Sequence, residues 1–394
     1  MANVSSSNGL EKYPKLRFKG FTEPWNAIRF GDIVDEYSDR TKEEDEDILL
    51  SAAIEGMFLN SELFDHQRGA SNKGYKKVDM GTLVLSTQNL HLGNANVNLR
   101  FEHGMVSPAY KTYHIHDCSI GLIAEWVKSE RAKRFFYDAT TVGASVCRRN
   151  VEWDTLYDQP LYLPSEAEQE RLAAFLTALS TRIKKQTELV EHLKKYKRGL
   201  LSAVFSRELF FSDGQWISKP FSEIAHLGKK RYTPSPNESK PCIELEHIEQ
   251  LTGRLLGSVN SSEQNSQKSA FEKGDVLFGK LRPYLKKYAL PDFEGVCSTE
   301  IWVFKPTECI TSEFLYYLVQ SEGFNNAANI SSGTKMPRAE WSKVASTVFF
   351  LPNIEDQTKI VNLLMKIDKK INTESMLLEK LEQFKKASLQ KLFI

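Results

Sequence analysis

One block of 43 residues occurs twice in this chain, and this internal repeat constrains the fold more than any other feature of the sequence. Leu163-Pro164 recurs as Leu351-Pro352, 188 positions further on, and eleven identities keep that register over residues 163–205. Such a repeat indicates two copies of one structural plan. The longer segments before the blocks resemble each other weakly, so the order is variable domain, block, variable domain, block. We predict domains over 1–163 (with 1–12 flexible) and 207–351, and repeated blocks over 164–206 and 352–394.

Each block is predicted to form one long helix. Ser165 and Glu168 have the spacing of a capping box, and Asn353 is a favourable N-cap for the second copy. Apolar residues recur at alternating steps of four and three, which is the period of a coiled-coil seam. An ordinary amphipathic core helix would show a similar pattern, but two long copies favour a two-helix spacer within the chain. The seam residues expected to form the spacer and its partner interface are Leu176, Leu179, Ile183, Val190, Leu193, Leu364, Ile367, Ile371, Leu378 and Leu381.

The seam also contains polar residues at equivalent places, Gln186 with Glu374 and Lys197 with Lys385. Polar seam residues can fix the register of a coiled coil. Four apolar or aromatic residues flank the seam and predict an interaction stripe that two helices cannot bury. These flanking residues are Leu189, Tyr196, Leu377 and Phe384.

No motif in the sequence would carry catalysis. There is no phosphate-binding loop, no glycine-rich dinucleotide turn that opens a helix and no nucleophile elbow. His114 and His116 could place two imidazoles on one strand face, but no third ligand is in view. The acidic run 43–47 is typical of a solvated loop. We therefore predict neither catalytic residues nor a metal site.

The cysteines and the hydropathy pattern predict a cytoplasmic protein that has no membrane partner. The five cysteines are scattered singly, which is typical of reduced thiols. No stretch approaches the roughly 20 apolar residues that a membrane-spanning helix needs.

Basic and amide-rich loops in both domains are the candidate DNA contacts. In the second domain, the run from Gly279 to Lys287 has four cations and a tyrosine directly after an apolar strand. Cations hold phosphates, and arginine can also read guanine. The matching run in the first domain is rich in amides, which suit adenine edges. Solvated loops that bind nothing are the alternative. The candidate DNA-binding residues are Gln88, Asn89, His91, Arg148, Arg149, Lys230, Arg231, Lys280, Arg282, Tyr284, Lys286, Lys287, Lys335 and Arg338.

Several of these segments resemble the specificity (S) subunit of type I restriction–modification enzymes. The similarity is carried by 14–25, 163–169 and 274–285, and it extends over residues 12–394. It implies an α+β fold in which two α/β target recognition domains alternate with two long helices. These helices would pair as an antiparallel coiled coil.

The resemblance also implies a function without an active site in this chain. Each recognition domain would read one half of a bipartite, asymmetric target in double-stranded DNA. The coiled coil would set the half-site spacing and dock two modification (M) subunits. S-adenosylmethionine, ATP and magnesium would be bound by partner subunits, namely the adenine-N6 methyltransferase and the restriction (R) subunits. Two alternatives stay open: a recognition module of a type II-like restriction–modification enzyme, or an enzyme with an unfamiliar active site.

Overall fold

The chain folds into two compact units, each built from a globular domain and parts of both long helices. The first unit is Met1–Thr187 with Met376–Ile394, and the second is Glu188–Ser375. The computed structural model describes residues 2–3, 12–64, 71–142, 149–209, 215–330 and 336–394.

The first unit contains a four-stranded antiparallel sheet that shares its hydrophobic core with residues of several helices. The sheet order is β4-β11-β8-β9, and the smaller pairs are β1-β2, β3-β14, β5-β6, β7-β10 and β12-β13. Tyr113, Phe30 and Phe136 are fully buried in its core. The strands are β1 Ala2–Asn3, β2 Leu16–Arg17, β3 Asn26–Arg29, β4 Val34–Tyr37, β5 Leu50–Ala52, β6 Met57–Leu59, β7 Lys76–Asp79, β8 Leu83–Ser86, β9 Ala95–Val97, β10 His103–Val106, β11 Tyr110–Ile115, β12 Thr140–Val142, β13 Arg149–Val151 and β14 Pro160–Leu163. The helices are α1 Asn60–Leu63, α2 Ile120–Trp126, α3 Glu130–Asp138, α4 Trp153–Asp158 and the long α5 Glu166–Phe205.

The second unit repeats this plan and adds a larger second sheet. Its four-stranded sheet has the order β16-β24-β21-β22, and its five-stranded sheet has the order β17-β20-β23-β18-β19. Phe221, Phe278, Phe304 and Phe324 form an aromatic core. The strands are β15 Ile217–Pro220, β16 Ala225–Leu227, β17 Arg231–Tyr232, β18 Pro241–Ile243, β19 Val259–Asn260, β20 Lys268–Phe271, β21 Val276–Gly279, β22 Tyr288–Ala289, β23 Gly295–Ser298, β24 Ile301–Pro306 and β25 Val348–Leu351. The helices are α6 Phe221–Ile224, α7 Ser312–Leu318, α8 Glu322–Asn329, α9 Trp341–Ser346 and the long α10 Ile354–Leu392.

The equivalence of the two domains is visible in their topology. The strands β4-β11-β8-β9 and β16-β24-β21-β22 have the same chain order and the same neighbours, and the pairs β3-β14 and β15-β25 close the two domains alike. A glycine with positive φ leads into the central strand of each sheet, Gly81 at +90° and Gly274 at +91°. Glycine adopts this conformation without steric strain. The domains therefore kept their backbone plan while their sequences diverged.

The two blocks form helices of 40 and 39 residues, as predicted. Each is about 60 Å long at ~1.5 Å per residue. Every seam position from 172 to 204 and from 360 to 392 is buried or half-buried. The helices pair in opposite directions. In the first unit, the start of α5 (Leu172, Leu176) shares a hydrophobic core with the end of α10 (Leu389, Leu392). In the second unit, the end of α5 (Leu201, Val204) shares one with the start of α10 (Ile360, Leu364). No helix in the described ranges is both long and apolar enough to cross a bilayer.

The start of each long helix is tied to its domain by a repeated glutamine. Gln169 accepts a hydrogen bond from the Ser119 N–H at 2.9 Å and donates to the Pro164 carbonyl at 3.0 Å. Gln357 does the same with the Thr311 N–H and the Pro352 carbonyl, at the same two distances. Both amides are buried, so both of their polar ends need these partners.

The capping prediction holds for one helix and is wrong for the other. Asn353 Oδ1 accepts the Asp356 N–H at 2.9 Å, as an N-cap should. Glu168 makes no capping box with Ser165. Its carboxylate accepts two hydrogen bonds from the buried guanidinium of Arg17, at 2.7 and 2.8 Å. A bidentate charged pair is stronger than the single bond that the cap would supply.

Candidate nucleic-acid interface

The basic run of the second domain forms a rigid loop at the end of β21. Lys280 and Leu281 lead into a 3₁₀ turn at Pro283–Leu285, and the residues on either side of the turn are left-handed. These are Arg282 at φ +51° and Lys286 at φ +49°. A non-glycine residue rarely holds this conformation, and such strain persists only where neighbouring contacts impose it.

A second chain segment supplies those contacts. The Arg282 N–H donates to the Pro337 carbonyl at 2.8 Å, and the Ala339 N–H donates to the Lys280 carbonyl at 2.8 Å. Leu281 and Arg338 form a β-bridge between these bonds. The structure therefore joins two loops that the sequence singled out separately. Lys335 lies outside the described residues.

The predicted cations of this loop fall into two classes. Arg338 makes two bonds to the Glu300 carboxylate, at 3.0 and 3.2 Å, and Lys287 donates to the Leu245 carbonyl at 2.6 Å. Burial lowers the pKa of Lys287. These two side chains hold the loop in place.

The other class faces outward. Within the described part of the chain, the side chains of Lys280, Arg282, Tyr284 and Lys286 have no polar partner. Arg282 and Tyr284 are exposed, and the two lysines are half-exposed. An exposed guanidinium on a braced backbone can meet a phosphate or the edge of a guanine without reorganising.

The further basic patch lies on a sheet edge. Arg231 in β17, an outer strand of the five-stranded sheet, is exposed, and so is Lys230 directly before it. Arg231 donates to Ser269 Oγ at 2.8 Å, whereas Lys230 bonds Ala270 through its backbone carbonyl only. Lys230 is therefore the freer cation of the pair.

The first domain has a similar loop with different side chains. After β8 the chain makes a 3₁₀ turn at Leu90–Leu92, and Gly93 at φ +90° takes the place that Lys286 has in the second domain. Gln88 and Asn89 are exposed, and Ser86 Oγ accepts both of their backbone N–H groups. Asn89 stands directly before the turn, where the second domain has Arg282. This loop therefore presents amides where the other presents cations.

His91 and Arg149 lie close together in the first domain. Burial and the charge of Arg149 lower the pKa of His91. Arg149 donates to Thr140 Oγ1 at 2.7 Å and stacks over the Tyr137 ring at 4.1 Å. Arg149 is thus held by its own domain. Arg148 lies outside the described residues.

The long helices carry exposed apolar side chains beside their seam. Tyr196 is 60% exposed and its repeat equivalent Phe384 is 51% exposed. Leu189 is also exposed, while Leu377 is half-buried. Sequence reasoning missed the exposed Met365 and Met376, which an inspection of apolar residues outside the seam could have found. Exposed apolar groups at matching places in both repeats are typical of a docking surface that occurs twice.

His114 and His116 each contact a neighbouring side chain. His114 stacks on Tyr37 with ring centroids 4.0 Å apart, and His116 Nδ1 lies 2.8 Å from Asp117. Across the described residues, no three His, Cys, Asp or Glu side chains gather as a metal site would require.

Known proteins match this architecture. Residues 214–383 match the family model of the type I restriction modification DNA specificity domain. The resemblance to type I specificity subunits is confirmed. The EcoDI specificity subunit of Escherichia coli is 23% identical over 240 residues, which is 52% of this chain and 54% of that protein. The HindI specificity subunit of Haemophilus influenzae is 31% identical over 135 residues, 32% of this chain and 29% of that protein. The chain thus spans about half the length of the first of these relatives.

Solved structures show the same fold. A type I system S subunit from M. genitalium has a TM-score of 0.62 and 15% identity, and the match covers 97% of this chain and 99% of that one. A chain from a study of complex assembly and conformational transition in the type I R-M system has a TM-score of 0.53 and 14% identity. That match covers 94% of this chain and 97% of the other. The α+β arrangement of two domains and two long paired helices is therefore the fold of S subunits.

Proposed function

We propose that this chain is the DNA-reading subunit of a type I restriction–modification complex. The observation that carries the proposal is the repeated loop after β8 and β21. In both domains it forms a 3₁₀ turn followed by a left-handed residue, and it presents different polar side chains in each. Two loops of similar shape that carry different polar side chains suit a DNA target whose two halves differ in sequence. The specificity-domain match over 214–383 supports this reading.

The side chains of the two loops suggest which contacts each domain makes. Exposed Arg282 and the neighbouring lysines suit guanine edges and phosphates, whereas exposed Gln88 and Asn89 suit adenine edges. Arg149, Arg338 and Lys287 act as braces in this proposal. Their predicted role in DNA binding would then be indirect, because they hold the loops that carry the contacting residues.

The helices are proposed to dock two modification subunits and to set the distance between half-sites. Tyr196 and Phe384 supply one exposed aromatic anchor per repeat. Aromatic residues are enriched at the energetic centres of interfaces. In this proposal the chain is not catalytic by itself. The partners bind S-adenosylmethionine, ATP and magnesium, methylate adenine and, with restriction subunits, cleave DNA.

Methyl transfer to DNA tests this proposal. The chain would be co-expressed with the modification subunit of its own system, and methylated sites would be mapped across the host genome. We expect a split motif with methylated adenine, and no transfer by the purified chain without its partner. Turnover by the chain alone would favour the rival reading, an enzyme with an unfamiliar active site. A continuous, unsplit motif would favour a module of a type II-like enzyme.

A further inference from the structure

A group of three side chains fastens the first domain to the long helices, and we name it joint 1. Glu125 of α2 accepts a hydrogen bond from Ser180 Oγ of α5 at 2.6 Å, and Lys385 Nζ of α10 lies 2.8 Å from its other oxygen. Lys385 also donates to Ser180 Oγ at 2.6 Å. The side chains of Glu125 and Lys385 are largely buried. Nearby Lys128 is held by the carbonyls of Ile54 and Ala95, so Lys385 is the cation that pairs with Glu125.

A second group, joint 2, fastens the second domain. Lys197 Nζ of α5 lies 2.7 Å from Asp368 Oδ1 of α10, and the Tyr317 hydroxyl of α7 donates to Asp368 Oδ2 at 2.8 Å. The Lys197 ammonium also lies 5.5 Å from the centre of the Tyr317 ring. Burial, reinforced by the Asp368 charge, raises the pKa of Tyr317, so its hydroxyl stays a donor.

The two joints occupy equivalent positions of the repeat. Ser180 and Lys197 of α5 match Asp368 and Lys385 of α10 at the 188-residue offset. The two domain residues match as well, since Glu125 and Tyr317 are each the sixth residue after the one that caps their helix. Each joint therefore holds one lysine, one carboxylate and one hydroxyl. The carboxylate, however, comes from the domain in joint 1 and from the helix in joint 2.

We propose that the joints make the two recognition domains of this chain non-interchangeable, with Glu125 and Tyr317 as the positioning residues that decide where each domain fits. The first domain at joint 2 would place Glu125 beside Asp368, two carboxylates against one lysine. The second domain at joint 1 would leave Lys385 with two hydroxyls and no carboxylate. A largely buried charge without its partner, or two like charges in contact, strongly destabilises a fold. The inference holds whatever DNA the domains read.

A chain that carries the second domain in both places tests the proposal. Its first joint would contain Lys385, Ser180 and a tyrosine. We expect its unfolding midpoint to fall by roughly 5–10 °C from the native value, and Ser180→Asp to restore most of the loss by supplying the carboxylate that joint 2 has. In the native chain, the same Ser180→Asp change should lower the midpoint, because the new carboxylate would face Glu125. If Ser180 had a purely structural role, Ser180→Asp would shift the unfolding midpoint in the same direction in both chains, and that result would overturn the proposal.

If the duplicated chain does not fold, a double-mutant cycle in the native chain tests the same proposal. Glu125→Gln and Ser180→Asp should each lower the midpoint, and the double variant should recover toward the native value because it moves the carboxylate from the domain to the helix. Ser180→Asn is the matched control, since it has the size of aspartate without the charge, and it should not rescue Glu125→Gln. Additive losses in the double variant, or equal rescue by asparagine, would overturn the proposal.

Discussion

Replacing Arg282 by glycine should stabilise the fold and weaken DNA binding at the same time. Arg282 holds φ +51°, where a residue with a side chain loses about 1–2 kcal/mol. Glycine relieves that strain, but its greater conformational freedom in the unfolded chain lowers the free energy of unfolding by about 0.5–1 kcal/mol. The backbone bond to Pro337 is kept, and the arginine side chain has no partner among the described residues. We expect a net gain of about 0.5–1 kcal/mol, which raises the unfolding midpoint by about 1–4 °C.

The affinity of Arg282→Gly for DNA should fall even though its stability rises. An arginine that reads a base contributes about 1–3 kcal/mol, so Arg282→Gly should weaken binding to the methylated motif by about 5- to 150-fold and relax preference in one half-site only. The assay is equilibrium binding to duplexes that differ at each position of the motif, with thermal unfolding measured on the same preparations. Lys286→Gly is the matched control. At φ +49° it should give a similar stability gain, while any loss of affinity should be even across sequences. A lower midpoint, or unchanged affinity and salt dependence for Arg282→Gly, would refute the reasoning.

Three other changes to the chain have measurable expected effects. Glu168→Gln should reduce the free energy of unfolding by about 3–5 kcal/mol in chemical denaturation, because Arg17 is left buried without its carboxylate; a loss below about 1 kcal/mol would show that the pair adds little. Tyr196→Ser should reduce co-purification of the modification subunit while it changes the free energy of unfolding by less than about 0.5 kcal/mol, and full recovery of the partner would remove Tyr196 from the interface. One heptad added to both helices, at 187/188 and at 375/376, adds about 10.5 Å of helix and keeps the seam in register. The gap of the methylated motif should then lengthen by about three base pairs at ~3.4 Å each, and an unchanged gap would show that the helices do not set it.

The long helices could be predicted because their signal is local. The spacing of apolar residues along 166–205 and 354–392 reports directly which face is buried. The capping box at Ser165 could not be judged in the same way. Arg17, which takes the Glu168 carboxylate, lies far away along the chain, and only the tertiary fold brings it near.

The candidate DNA-binding loop was predictable as a loop and unpredictable in its details. A cluster of cations after an apolar strand marks it in the sequence. Nothing in that cluster tells which cation is free, because Glu300 and the Leu245 carbonyl, which hold Arg338 and Lys287, come from other parts of the chain. Arg148 and Lys335 stay predictions. The division of the chain into two domains and two helical blocks also stays a prediction. The two compact units are defined by spatial packing, and each includes part of both long helices.

Gln169 and Gln357 bind only main-chain atoms. The N–H groups of Ser119 and Thr311 and the carbonyls of Pro164 and Pro352 belong to the main chain. Replacing side chains in a recognition domain therefore leaves these hydrogen bonds untouched, provided that the backbone keeps its path. This connection is indifferent to the side chains of the domain, whereas the contacts of joint 1 and joint 2 depend on them. Mutation can then change the surface that a domain offers, one residue after another, without breaking the two hydrogen bonds that hold the start of its helix.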